Sequence, residues 1–279
     1  MQINHWEVHE MGIRTRLLVG AVAAVAVSTV AMAATAATTP PSIAKAGTIV
    51  FCSDPGFPPM ESLEGSQPVG ADIDIGTGIG KEMGVKAQFR NVGFDGIIAA
   101  LVAKKCDAII SGMTDTAERR RQVDFTDYVD VGMSLMVKRG NPSRVTGLAS
   151  LSGRRVAVQV GTTEKDALVV ENRLLAKQHR QPVVIKLFQK DSDAAAALVT
   201  GKVDAYFSDD PPIGYYVRNA GGKFEVAASK IEAAPFGIAT RKHDPLGAAV
   251  KQSVASLYAS GAMKAILAKW GLSALALGK

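Results

Sequence analysis

Two segments 97 positions apart, Ala99–Gly112 and Ala196–Asp209, carry the same residue at eight of fourteen positions. Each reads as the last turns of a helix, a polar turn and a short apolar strand that breaks into small polar residues. A helix-turn-strand unit cannot bury its apolar faces alone, so a duplicated unit constrains the chain to an α/β architecture with two comparable halves. Ligands of such folds gather at the carboxyl ends of the strands. The two copies therefore present two matching strand ends, Ile110-Ser111-Gly112 and Phe207-Ser208-Asp209, to a shared site.

The flanking sequence extends the alternation. Strands are predicted over 48–53, 86–92, 107–111, 155–159, 183–188 and 204–207, with further extended segments over 132–138 and 236–240. Helices are predicted over 72–83, 97–103, 163–177 and 193–199. Asp209-Asp210-Pro211-Pro212 starts a further helix with proline in its first turn, and two more follow Asp244-Pro245 and Gly261. The helix over 72–83 contains Gly76, Gly78 and Gly80, each of which weakens a helix by about 1 kcal/mol relative to alanine. Asp115 with Glu118 three residues later has the form of an acidic capping box and predicts a helix starting there. Residues 34–46 read as a Thr/Pro/Ala linker.

With 279 residues, 47% of them apolar and 21% charged, the chain is large enough for two compact lobes. A net charge of +6 does not point to nucleic acid. The basic residues are scattered, and no aromatic residues interleave the single run Arg119-Arg120-Arg121. Arg14 and Arg16 precede an uncharged apolar stretch, Leu17 to Ala31, and Ala31-Met32-Ala33 supplies a small-x-small cleavage pattern, so residues 1–33 read as an export signal. Met11 is an alternative start. Export permits a disulfide, but two cysteines are not a framework, and Cys52 and Cys106 are expected as free, buried thiols. His5 and His9 lack a third metal ligand. No nucleophile elbow, zinc-binding helix or phosphate-binding loop is present, so no cofactor or metal is called for.

Three features point to one kind of ligand. Arg119, just past the first repeat strand, has the planar fork that grips a carboxylate through paired hydrogen bonds. Gly161-Thr162-Thr163 offers free backbone N–H groups at a helix start. Asp209, at the matching end of the second repeat strand, supplies a negative charge suited to an ammonium group. Together they complement a zwitterion.

Over residues 48–272 the chain resembles the extracellular solute-binding proteins of the polar amino-acid class that serve ABC importers. The resemblance is carried by Asp54-x-x-Phe57-x-Pro59, Gly70-x-Asp72-x-Asp74, Phe94-Asp95-Gly96, Gly112-x-Thr114-x-Thr116-x-x-Arg119 and Asp124-Phe125-Thr126. Gln159-x-Gly161-Thr162-Thr163, Gly201-Lys202-Val203-Asp204 and Ser208-Asp209 complete it. It implies a two-lobed type II periplasmic-binding fold, with lobes at 47–129 plus 237–279 and at 134–233, hinges at 129–133 and 233–237, and the ligand in the cleft between them. It also implies that Arg119 binds the ligand carboxylate with the N–H groups of Thr114 and Thr163. Asp209 would take the ammonium group with the Gly112 carbonyl and the Thr114 hydroxyl. Phe57 and Phe94 would sandwich the ligand side chain, and Asp54, Met113 and Gln159 would sense its far end. Asp54 reads either as a selector for a basic or amide side chain or as a turn cap after the first strand. Ala71, Met60 and Gln159 depart from the residues usual in relatives. The implied partners are an amino acid and an inner-membrane permease, for a monomeric periplasmic protein without enzyme activity. The rival reading is an enzyme on the same fold, a cyclohexadienyl dehydratase, which would keep Arg119 but need a general acid aimed at a leaving group.

Overall fold

The computed structural model describes residues 38–277; residues 1–33, expected from sequence to be an export signal, lie outside them. In chain order the elements are α1 (Pro41–Ala46), β1 (Thr48–Ser53), β2 (Ser62–Glu64), β3 (Gln67–Val69), α2 (Ala71–Glu82), β4 (Lys86–Asn91), α3 (Ile97–Val102), β5 (Ala108–Ile109) and β6 (Val123–Lys138). There follow β7 (Arg155–Gln159), α4 (Thr163–Lys177), β8 (Val184–Phe188), α5 (Asp191–Val199), β9 (Ala205–Asp209), α6 (Asp210–Asn219), β10 (Phe224–Arg241), α7 (Leu246–Ala259) and α8 (Ala262–Lys269).

One mixed sheet in the order β4-β1-β5-β10-β6-β9-β7-β8 runs through these elements. Three parallel strands lie on either side of a central antiparallel pair, the long β6 and β10. The two copies of the sequence repeat end in β5 and β9, which flank that pair on opposite sides. Their shared aspartates explain much of the likeness. Asp107 accepts from the Val50 N–H at 2.8 Å and Asp204 from the Arg155 N–H at 2.9 Å, each fastening its strand to the start of the parallel neighbour.

Side chains alternate across the parallel strands, so both faces of the sheet are buried. On β1, Ile49 and Phe51 pack with α2 and α7, whereas Cys52 packs on the opposite face with Ile97 and Leu101 of α3. On β7, Val156 and Val158 meet Leu168 and Leu175 of α4, while Ala157 meets Leu198 of α5 and Ile213 of α6. The glycines of α2 find their reason here. A Cβ on Gly80 would lie 3.0 Å from the Val85 carbonyl and the Ala87 nitrogen, so the low-propensity residue permits close approach of α2 to β4.

Three expectations are corrected. Cys52 and Cys106 are not free thiols but form a disulfide, because β1 and the approach to β5 lie side by side with the two Cα atoms 5.7 Å apart. The linker over 34–46 contains α1, whose Ile43 is buried in the first core. No full helix starts at Asp115. Residues 119–121 make a single 3-10 turn, and the Asp115 carboxylate is taken by Arg120, whose Nε donates to it at 2.6 Å. Among the described residues no helix is long and apolar enough to cross a membrane.

Candidate functional site

The two sets of parallel strands point their carboxyl ends at one cavity. Asp54 follows β1, and Ser111, Gly112 and Thr114 follow β5 on one wall. Gln159 ends β7, Thr162 and Thr163 open α4, and Ser208 and Asp209 end β9 on the other. Nine of the ten residues expected from sequence line this cavity: Asp54, Phe57, Phe94, Gly112, Thr114, Arg119, Gln159, Thr163 and Asp209. Met113 is the one the structure does not bring there. It is 1% exposed and packs among Cys52, Ile97 and Val123, its side chain turned into the core rather than into the cavity.

Arg119 is held from two directions. Its Nη1 donates to the Thr114 carbonyl at 2.7 Å and its Nη2 to the Gly161 carbonyl at 3.2 Å, and the guanidinium carbon lies 5.4 Å from the centre of the Phe94 ring. Two of five N–H donors are thereby used, and the rest of the fork is available to a carboxylate. Burial pushes the Arg119 pKa down, while the nearby Glu164 and Asp209 push it back up. Thr162 caps α4 by accepting from the Lys165 N–H at 3.4 Å, which orients the first-turn N–H groups beside Arg119. Gly112 sits at φ 49°, and a Cβ there would come within 2.6 Å of the Phe57 ring, so only glycine brings the chain this close to that aromatic wall.

Among the described residues, four hydrogen-bond contacts join the two walls at or beside the cavity. Gln159 Nε2 donates to Asp54 Oδ2 at 2.9 Å, the Ser192 N–H donates to the Gly56 carbonyl at 3.1 Å, and Thr114 and Thr163 share a hydroxyl contact at 3.4 Å. The Arg119–Gly161 bond is the fourth.

Sequence reasoning missed the acids behind the walls. Glu61, Glu164 and Asp191 also line the cavity. Asp72 meets Glu61 behind it, accepting from the Tyr128 hydroxyl and from the Gly112 N–H, both at 2.7 Å. Ser111 donates to Glu61 at 2.7 Å, and its repeat counterpart Ser208 donates to Asp191 at 2.9 Å. The identical serines of the repeat were therefore the available signal for two buried carboxyls.

Burial raises all of these acids above the usual carboxylate range. Asp72 is pushed up to about 6 and Asp191 to about 7, Glu61 and Asp209 well up, and in Glu61 and Asp209 a like-charged neighbour adds to the shift. Groups with raised folded-state pKa values stabilise the native state fully below the unfolded value near 4, and that contribution is lost as pH climbs through 6 to 7. Asp124 and Asp204, whose pKa values are lowered by hydrogen bonds from Lys242 and Arg155, act only below that window. Without added ligand the protein is therefore expected to melt at a higher temperature at pH 5 than at pH 8. A melting temperature that climbs across that interval contradicts the assignment of these buried protons.

Residues 49–273 match the model of the bacterial extracellular solute-binding proteins, family 3. The chain belongs to that family. It is 27% identical over 235 residues to an arginine-binding protein of Corynebacterium glutamicum, covering 84% of this chain and 77% of the relative. It is 26% identical over 228 residues to an L-cystine-binding protein of Escherichia coli K12, covering 80% and 82%. The solved structure of an ancestral arginine-binding protein bound to arginine superposes with a TM-score of 0.73 at 34% identity, covering 80% of this chain and 98% of the other. As a member of this family the chain has the two-lobed α/β fold and is an amino-acid-binding protein of the ABC-importer type.

Proposed function

We propose that the chain captures a cationic amino acid between Arg119 and Asp209 and delivers it to an inner-membrane ABC permease. The observation that carries the cationic assignment is the charge of the cavity: among the described residues that line it, Arg119 is the one cation, against Asp54, Glu61, Glu164, Asp191 and Asp209. Sharing of protons within the acid pairs leaves the cavity negative, and a zwitterion alone does not offset that. A basic side chain directed at Asp54 and Gln159 does. Asp54 accepts from Gln159 at 2.9 Å and from the Phe94 N–H at 3.0 Å. The arginine-binding relatives support this reading.

In this reading the lobes comprise 47–129 plus 237–279 and 134–233, and they close about hinges at 129–133 and 233–237. Support comes from β10, whose register against β6 slips between Ile231 and Ala234 and again between Phe236 and Gly237. Bulges there give the paired strands freedom to bend. The four contacts across the cavity belong to the closed arrangement that ligand binding favours. Residues 1–33 direct export to the periplasm, where the protein acts as a monomer.

A thermal-shift screen tests the ligand class, because a ligand that binds only the native state raises the melting temperature. Arginine, lysine, ornithine or histidine is expected to give the largest rise, at least 4 °C at saturating concentration, the equivalent of about 2 kcal/mol or less for a chain of this size. A larger shift with glutamate, glutamine or cystine sinks the cationic assignment.

A second reading, a dehydratase of the cyclohexadienyl type, draws on one observation. Burial raises both carboxyls of the Glu164–Asp209 pair beside Arg119, which favours the protonated form that a general acid requires. Product formation from prephenate or arogenate would establish it.

A further inference from the structure

Glu164 is the least expected group in the cavity. It stands at the second position of α4, is 3% exposed, and faces Asp209 across the end of β9. Its Oε2 accepts from the Thr163 hydroxyl at 3.2 Å. Its Oε1 is buried without a hydrogen-bond partner, its own backbone N–H helps to hold the carboxyl, and the Asp209 carboxyl lies within hydrogen-bond reach of the group. Two carboxylates brought together in this way cannot both ionise without a cation between them. One shared proton satisfies the pair.

Resting on the amino-acid reading above, we propose that Glu164 is the second acid of the ammonium pocket, sharing one proton with Asp209, and that the incoming ligand ammonium displaces that proton. Capture of one amino acid then releases about one proton. The balance is simple. The ammonium group keeps its own protons and donates hydrogen bonds to both carboxylates, while the shared proton leaves to solvent.

The charged surroundings fit this exchange. From the 3-10 turn Arg119 attracts both acids; from α5 Asp191 repels them; and from α4 itself Asp166 acts on Arg119. Burial raises both members of the pair, and Arg119 pulls both down. Asp191 is the competing proton source. It differs in being already hydrogen-bonded by two hydroxyls, those of Tyr206 and Ser208. The consequence for the protein is selectivity. A ligand lacking an ammonium group, such as a hydroxy acid, can accept from the protonated pair but cannot replace its proton.

The test is calorimetric titration of the full chain with arginine in two buffers of different ionisation enthalpy, repeated from pH 5.5 to 8. The wild-type protein is expected to release about 0.5 to 1 proton per ligand near pH 7, with affinity rising by up to about tenfold for each unit that the pH is raised while the pair holds its proton. Glu164→Gln should flatten the pH dependence and reduce proton release to about 0.1 or less, because Asp209 then has no acid to share with. Glu164→Asp, which keeps the second carboxyl, should restore it. Binding heat that is independent of buffer in the wild type overturns the exchange while leaving the binding site intact. Undiminished release in Glu164→Gln overturns the sharing of that proton between the two acids. Absence of binding heat with arginine, lysine, histidine and the neutral amino acids alike overturns the amino-acid reading, and this one with it.

Discussion

Replacing Arg119 by alanine should weaken amino-acid capture by between about 30-fold and several thousand-fold, the range measured when one partner of a buried, hydrogen-bonded charge pair is truncated, about 2–5 kcal/mol. The size follows from how the guanidinium is fixed. Carbonyls of Thr114 on one wall and Gly161 on the other hold two of its donors, and the Phe94 ring supports its face. The remaining donors are pre-oriented, so a ligand carboxylate meets them without reordering the side chain. Alanine also removes the cation that holds Glu164 and Asp209 in check, leaving the pair more fully protonated and the ammonium end weaker. Both ends of a zwitterion lose their partner at once. Arg119→Lys separates charge from geometry: it keeps the cation but not the fork, and should recover only part of the loss. Isothermal calorimetry with arginine measures both variants, with a thermal melt to show that each still folds. A change of less than threefold in Arg119→Ala removes the guanidinium from the site.

How much of this could be read from residues alone depends on whether a position's role is local. The repeat announces β5 and β9, and the polar residues that follow them line one cavity. Arg119 and Asp209 are legible because their chemistry is unusual beside small residues at strand ends. The helix expected at Asp115 failed because a carboxylate at a helix start and a carboxylate in an ion pair look identical in sequence, and Arg120 five residues later took it. The disulfide was invisible for a different reason. Its two cysteines are 54 residues apart, and only the parallel pairing of β1 with β5 brings them together. Met113 shows the limit of motif reasoning, since its neighbours Gly112 and Thr114 face the cavity while it faces the core. The acid pairs were the hardest to foresee. Glu61 and Asp72, or Glu164 and Asp209, each join two distant strand or helix ends, and no periodicity relates them.

The Glu61–Asp72 pair carries the second large expectation, which concerns stability as well as binding. Asp72 is fully buried at the start of α2, and three groups converge on it: the Tyr128 hydroxyl from β6, the Gly112 N–H from the cavity wall, and the Glu61 carboxyl. Glu61 keeps its proton, because burial and the neighbouring charge of Asp72 both raise it. Asp72→Ala therefore leaves two buried donors unpaired and strips Glu61 of its acceptor, for an expected loss of about 3–5 kcal/mol. For a chain of this size that corresponds to a fall in melting temperature of roughly 6–20 °C. Asp72→Asn should cost less, since an amide oxygen still accepts from one of the donors, but its NH₂ then faces Tyr128 or Gly112. The same contact ties stability to function. The Gly112 N–H bond to Asp72 holds the wall at φ 49° against Phe57, so a variant that folds at low temperature should also bind arginine more weakly, by about tenfold for the loss of one charge-assisted hydrogen bond that orders the site. A double-mutant cycle separates pair from parts. If Glu61 and Asp72 act as one proton-sharing unit, Glu61→Gln should cost markedly less in the Asp72→Asn background than in the wild type, with an interaction energy of at least about 0.5 kcal/mol. Strictly additive melting shifts would mean that the two carboxyls are stabilised separately, and that the Gly112 wall does not depend on their shared proton.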